Sequence, residues 1–249
     1  MASRIRALYP GTKLIIALAI GISAFIVPTY WFGFAAFGLA VIVAFVCGEG
    51  KAYLKLVRNS LLILLIFMFV MRLLFSGGKT IYWQWGYMII SAESIAVSLA
   101  FVSGVLALGS FLLLFFMLTP VKDITAALSN AGLPPSGTYV VLSAIQMIPE
   151  MRKQSATIMD AQKTRGVETE GKLFTRIKAF VPTLGPLILS SIASTEERVI
   201  TLESRGFTAP VPKTRLYVVT KRRVDTTIEI IVIVAFVAVI AGRIALSLL

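Results

Sequence analysis

Two nine-residue stretches hold the side chains best equipped for specific polar contacts: AQKTRGVET, Ala161–Thr169, and TLESRGFTA, Thr201–Ala209. Each closes a helix-like run with a small polar residue (Thr164, Ser204), then an arginine (Arg165, Arg205), then a glycine (Gly166, Gly206). The two arginines lie 40 residues apart. A guanidinium presents five N–H donors in a rigid fork that grips a carboxylate with two hydrogen bonds, which lysine cannot reproduce. A single Arg-Gly helix stop is an ordinary structural device, because glycine is favoured just past a helix end and a cation there favours the helix dipole. Its repetition, with a hydrophobe after each glycine (Val167, Phe207), makes the pair a candidate for docking into grooves of a soluble partner.

Reaction chemistry is poorly supplied. The chain has no histidine, and its one cysteine, Cys47, sits in an apolar run, so the commonest proton shuttle and metal ligands are missing. GGKT at 77–80 looks like the end of a phosphate-binding loop. The required glycine four residues earlier is missing, however, and an apolar run stands where a strand should precede it, so no ATP site is expected. An intramembrane enzyme would need a nucleophile–base pair or a metal, and neither is supplied.

The elements that must position the two tips follow from composition. Of 249 residues, 57% are hydrophobic and 14% charged, with a mean hydropathy of +0.89, which describes an integral membrane protein. The net charge of +12 is then read as lysine and arginine gathered on the cytoplasmic side, with no nucleic-acid partner. No charge occurs from Leu14 to Gly48, a run of about 50 Å as one helix, against about 30 Å of hydrocarbon. Pro28-Thr29-Tyr30-Trp31 divides it into spans at Leu14–Val27 and Trp31–Cys47, the first retained and not cleaved as a signal peptide. Glu49–Arg58 reads as a basic loop and Ser60–Phe75 as a third span, with Arg72 snorkelling to the interface. Ser76–Tyr87 is a glycine-rich turn with an aromatic belt, and Gly86–Leu118 is one long fourth span. Splitting that run at Gly104 and Gly109 would put the basic segment after it outside, against the positive-inside bias.

The segment Thr119–Val224 holds 15 of the 24 basic residues against 8 acidic ones. It reads as amphipathic helices: a short one from Thr119-Pro120 to Gly132, and a long one from Tyr139 to Arg165 with a proline kink at Pro149. A short basic one, Lys172–Pro182, suits the membrane surface, and a second long one runs from Thr183 to Arg205. Its Ser190–Ser194 stretch is small enough to admit a close helix neighbour. Ile228–Leu249 is a fifth span. The expected fold is all-α and polytopic, with a membrane domain at 1–118, a coupling domain at 119–224 and a last helix at 225–249. The N-terminus and coupling domain are inside and the C-terminus outside.

With the two tips, YPGTKL (Tyr9–Leu14), LTP (Leu118–Pro120) and the stretch from Met147 to Gly166, the chain resembles the transmembrane T component of energy-coupling factor transporters, importers of the ATP-binding cassette (ABC) superfamily. The family's tips commonly read Ala-Arg-Gly, whereas Thr164 and Ser204 stand in the alanine position here. The resemblance implies a non-catalytic subunit in a bacterial or archaeal cell membrane, without a cofactor of its own. Two partner ATPases would bind ATP and magnesium, and each would receive one tip through Arg165-Gly166 or Arg205-Gly206. The apolar sides of the two long helices would carry a small membrane-embedded substrate-binding subunit for uptake of a vitamin or trace metal. A secondary transporter or channel would instead need ionisable residues near the bilayer midplane, whereas Glu93 and Arg72 sit near helix ends. A scaffold using the same tips would differ only in lacking ATP-coupled uptake.

Overall fold

The computed structural model describes residues 5–27, 29–75, 81–85, 88–167, 173–211, 217 and 219–248. Eight long helices and one short hairpin account for most of them. They are α1 Pro10–Ile26, α2 Tyr30–Val46, α3 Gly50–Phe75, strands β1 Ile81–Trp85 and β2 Met88–Ser91, α4 Ala92–Leu118, α5 Val121–Asn130, α6 Pro135–Thr164, α7 Leu173–Ser204 and α8 Arg223–Leu248. Among the described residues the regular structure is helical except for the antiparallel β1–β2 pair.

By length and hydropathy α3, α4 and α8 can each cross a membrane. Helices α1 and α2 are apolar too, at 17 residues each, the short end of the spanning range. The chain divides into two compact units, Met1–Ala127 with Val218–Leu249, and Leu128–Tyr217. The first unit thus takes in the five apolar helices, including the last one.

Helix α4 is the axis of the membrane unit and packs against α1, α2 and α3. It stays unbroken through Gly104 and Gly109, but it begins at Ala92 and not at the expected Gly86, because Met88–Ser91 pair with Ile81–Trp85 as a strand. Its buried face is built largely from small residues, among them Ser94, Ser98, Ser103, Ala107 and Ser110, and α2 meets it with Ala36, Ala40 and Ala44. Where lipid is as greasy as leucine, hydrophobicity does not hold helices together, so close backbone approach must do so. The approach is close enough that a Cβ on Gly33 would lie 2.6 Å from the backbone of Ser103, and one on Gly21 2.9 Å from the Leu108 Cα. Two of the buried hydroxyls of α4 find partners within the helix, Ser103 Oγ and Ser110 Oγ each donating to the carbonyl three residues back at 2.9 Å, whereas Ser98 Oγ is buried without a partner among the described residues.

The polar ends of the unit are tied by the motifs nearest the N-terminus. Lys13 Nζ donates to the carbonyl of Leu118 at 3.3 Å and of Arg6 at 2.8 Å, which satisfies a carbonyl at the end of α4. Tyr9 donates through its hydroxyl to Ala127 O at 3.3 Å and through its backbone N–H to Asp225 Oδ1 at 3.1 Å. Asp225, the third residue of α8, also accepts from Arg222 N–H at 2.8 Å and so satisfies a backbone donor at the start of that helix. One turn on, Glu229 accepts from Thr12 Oγ1 at 2.8 Å and pairs with Lys221.

Two expected element boundaries elsewhere also need correction. The basic stretch Glu49–Arg58 is not a loop, because α3 begins at Gly50. Lys51, Lys55 and Arg58 recur every three or four residues along its exposed side, while Tyr53 and Val57 are buried. Tyr53 Oη donates to Ser110 O at 3.0 Å and so pins this first part of α3 to α4. Nor do Lys172–Pro182 and the helix from Thr183 form separate elements. A single helix, α7, runs through Pro182 and Pro186, each of which removes one backbone donor without ending it. Pro149 likewise lies inside α6. The phosphate-loop look-alike at 77–80 and Pro28 lie outside the described residues.

Candidate functional site

Both Arg-Gly tips lie in the second unit, at the ends of its two long helices. Contacts along α6 and α7 fix their relative direction. Tyr139 and Phe207 rings meet at 5.4 Å, Glu150 and Arg198 pair at 3.4 Å, and Thr183 Oγ1 reaches Met159 Sδ at 3.9 Å. Partners advance along one helix as they retreat along the other, so the two run antiparallel side by side. The first tip therefore lies at one end of the pair and the second at the other. From Tyr139, beside the second tip, to Arg165 the helix spans about 40 Å.

The backbone is the same at each tip. Gly166 has φ +85° and Gly206 φ +72°, the left-handed conformation that a side chain disfavours. Val167 N–H bonds Gln162 O at 3.1 Å and Gly166 N–H bonds Lys163 O at 3.0 Å. At the other end Phe207 N–H bonds Leu202 O at 3.0 Å and Gly206 N–H bonds Glu203 O at 2.9 Å. This pair of bonds is the Schellman closure, which satisfies carbonyls the helix leaves open. The same closure ends α2 at Gly48 and α5 at Gly132, so the backbone alone does not distinguish the tips.

Their side chains do. Arginine precedes the glycine only at 166 and 206, whereas Cys47 and Ala131 occupy that place in the other two closures. Arg165 and Arg205 are both exposed and have no ion pair or side-chain hydrogen bond among the described residues. Thr164 and Ser204 are matched as well. Thr164 Oγ1 donates to Ala161 O at 2.7 Å and Ser204 Oγ to Thr201 O at 3.0 Å. Those are the carbonyls that the arginine N–H groups would meet in a continuing helix; here Arg165 and Arg205 N–H turn to Gln162 O and Leu202 O. Each hydroxyl proton is used locally, so outward the position presents a small residue with only acceptor lone pairs left.

Further residues of note lie at the tips and in the membrane unit. Phe207, in sequence simply a hydrophobe after glycine, anchors the second tip with its ring on Tyr139. Gln162 is the one buried residue of α6. In the membrane unit, Asp225 and Glu229 are buried acids whose signal is visible as carboxylates in the first turns of an apolar helix. Glu168 and Thr169, which complete the first echo, lie outside the described residues.

Comparison with known proteins decides the family. The family described as CbiQ, cobalt transport protein, matches residues 1–216. The chain belongs to this family of energy-coupling factor transmembrane components. Among curated members named energy-coupling factor transporter transmembrane protein EcfT, that of Lacticaseibacillus paracasei is 31% identical over 188 residues, 70% of this chain and 69% of its own. That of Thermotoga maritima is 28% identical over 248 residues, 97% of this chain and 90% of its own. That of Ruminiclostridium cellulolyticum is 26% identical over 242 residues, 90% and 87% respectively. A T component is a membrane subunit of a transporter complex, and the five apolar helices of this one agree with that setting.

Proposed function

We propose that this T component passes the motion of two ABC-type ATPases, through Arg165-Gly166 and Arg205-Gly206, to a small membrane-embedded subunit that binds a vitamin or trace metal. The observation that carries the reading is the geometry of the tips: two matching helix ends, each presenting an unpaired arginine, at opposite ends of an antiparallel pair. Two docking points that far apart suit two separate motors better than one. Each guanidinium would meet a carboxylate in an ATPase groove, and the sharp glycine closure keeps the following chain clear of that groove. ATP and magnesium would be bound by the ATPases. The N-terminus and the α6–α7 pair face the cytoplasm and the C-terminus faces outside, consistent with the positive charge of residues 119–224.

Exposed apolar side chains on α7 support the second half of the reading. Phe174, Ile177, Leu184, Ile188 and Ile192 recur at intervals that gather on one helix face, and all are exposed. Such a stripe needs a cover, either lipid or the substrate-binding subunit.

Arg165→Glu combined with Arg205→Glu is the direct test, read by co-purification of the ATPases and by ATP-driven uptake in reconstituted vesicles. Both are expected to be lost in the double variant while the membrane unit remains folded. Undiminished ATPase association and uptake would remove the coupling role. Uptake by the isolated chain on an ion gradient would favour a secondary transporter.

A further inference from the structure

We propose that Arg72 and the cavity beside it bind the phosphate of an anionic membrane lipid. Arg72 lies one turn before the end of α3, where snorkelling to water was expected. The structure turns it inward instead. Its guanidinium carbon stands 4.3 Å from the centroid of the Phe101 ring on α4, and Phe101 meets Phe25 of α1 edge-on at 5.9 Å. Its Nε is buried and has no hydrogen-bond partner, and among the described residues no carboxylate pairs with the side chain. The ring face offsets part of the cost of desolvating this cation, but it accepts none of the five N–H donors in a good hydrogen bond.

A cavity of about 360 Å³ adjoins the guanidinium, lined by Phe25, Val27, Thr29, Tyr30, Val97 and Phe101 among others. It is mostly apolar, with two hydroxyl-bearing residues. Phe25 is next to last in α1 and Tyr30 is first in α2, so the cavity lies at the turn joining two apolar helices, the level at which headgroups meet hydrocarbon. A half-buried guanidinium whose buried Nε lacks a partner calls for an anion there. Lipid phosphate is the anion present at that depth, and its acyl chains match the apolar walls as a hydrated free ion would not. Arg is suited to phosphate because its fork bonds two oxygens at once.

The full chain, purified in a neutral detergent, is titrated with dioleoylphosphatidylglycerol, and retained lipid is counted by native mass spectrometry. Wild type should hold the lipid, with binding weaker by about tenfold in Arg72→Gln and by about threefold in Arg72→Lys, which keeps the charge but loses the fork. Val97→Trp, which fills the cavity and leaves Arg72 in place, should show the same loss as Arg72→Gln. It keeps the test alive if Arg72→Gln does not fold. Unchanged retention in the folded variants overturns the proposal. Displacement of the lipid by inorganic phosphate, with equal thermal stabilisation, would make this a free-anion site and overturn the lipid assignment. An Arg72→Gln chain that keeps its lipid but loses co-purifying subunits would assign the guanidinium to a partner protein instead. None of these outcomes depends on the roles of Arg165 and Arg205.

Discussion

At Arg165 and Arg205 the backbone performs the ordinary task of ending a helix, and the side chain adds something that task does not require. The closures at Gly48 and Gly132 show that the stop is complete without arginine. Two residue-scale outcomes follow. Gly206→Val places a β-branched side chain at φ +72°, a conformation that costs an L-residue roughly 1–2 kcal/mol, so the second tip should unwind and hold its ATPase less well. Thr164→Ala with Ser204→Ala should leave ATPase co-purification and uptake near wild type, because each hydroxyl gives its proton to its own helix carbonyl. A large loss of uptake in the alanine pair would show that the hydroxyls face the partner.

Among the elements, α4 is the most constrained, because α1, α2 and α3 all close on it. Gly33→Leu would drive α2 away from the Ser103 backbone, and overpacking of this kind costs roughly 1–3 kcal/mol, read as a lower melting temperature in detergent. Gly38→Ala, on the same helix, meets nothing within 4 Å and should be neutral or stabilising by up to about 1 kcal/mol. Equal effects from the two would refute the close-packing account. The prolines of α7 teach a related lesson. A proline signals a helix end in sequence, yet the loss of one backbone bond at Pro182 and another at Pro186 did not outweigh continuation of the helix on either side.

For the whole molecule, the chain passes between its two compact units at 127–128 and again at 217–218. Tyr9 touches the flanks of both crossings on the membrane-unit side, through Ala127 O and Asp225. The orientation proposed for the molecule can be read by cysteine labelling, since Cys47 is the only cysteine and is buried. A maleimide that does not cross membranes should label Trp31→Cys on intact cells and Lys163→Cys only after permeabilisation. Labelling of Lys163→Cys from outside would invert the map.

Several features of this protein were legible in its amino-acid order because each depends on near neighbours. Apolar runs define the five lipid-compatible helices, a glycine after a helix end defines each stop, and the doubled Thr/Ser-Arg-Gly marks two like surfaces. Periodicity could also have revealed that Lys51, Lys55 and Arg58 share a helix face, but charge density masked it. Relations between distant residues were not legible. That α6 and α7 run antiparallel and so part the two arginines rests on Tyr139 meeting Phe207 and Glu150 meeting Arg198. That Lys13 caps α4, and that Arg72 lies on Phe101 without a carboxylate, likewise depends on residues 105 and 29 positions away. Local pattern sets what each segment becomes, whereas only packing, which trades backbone approach and buried polar pairing across the chain, decides which segments meet.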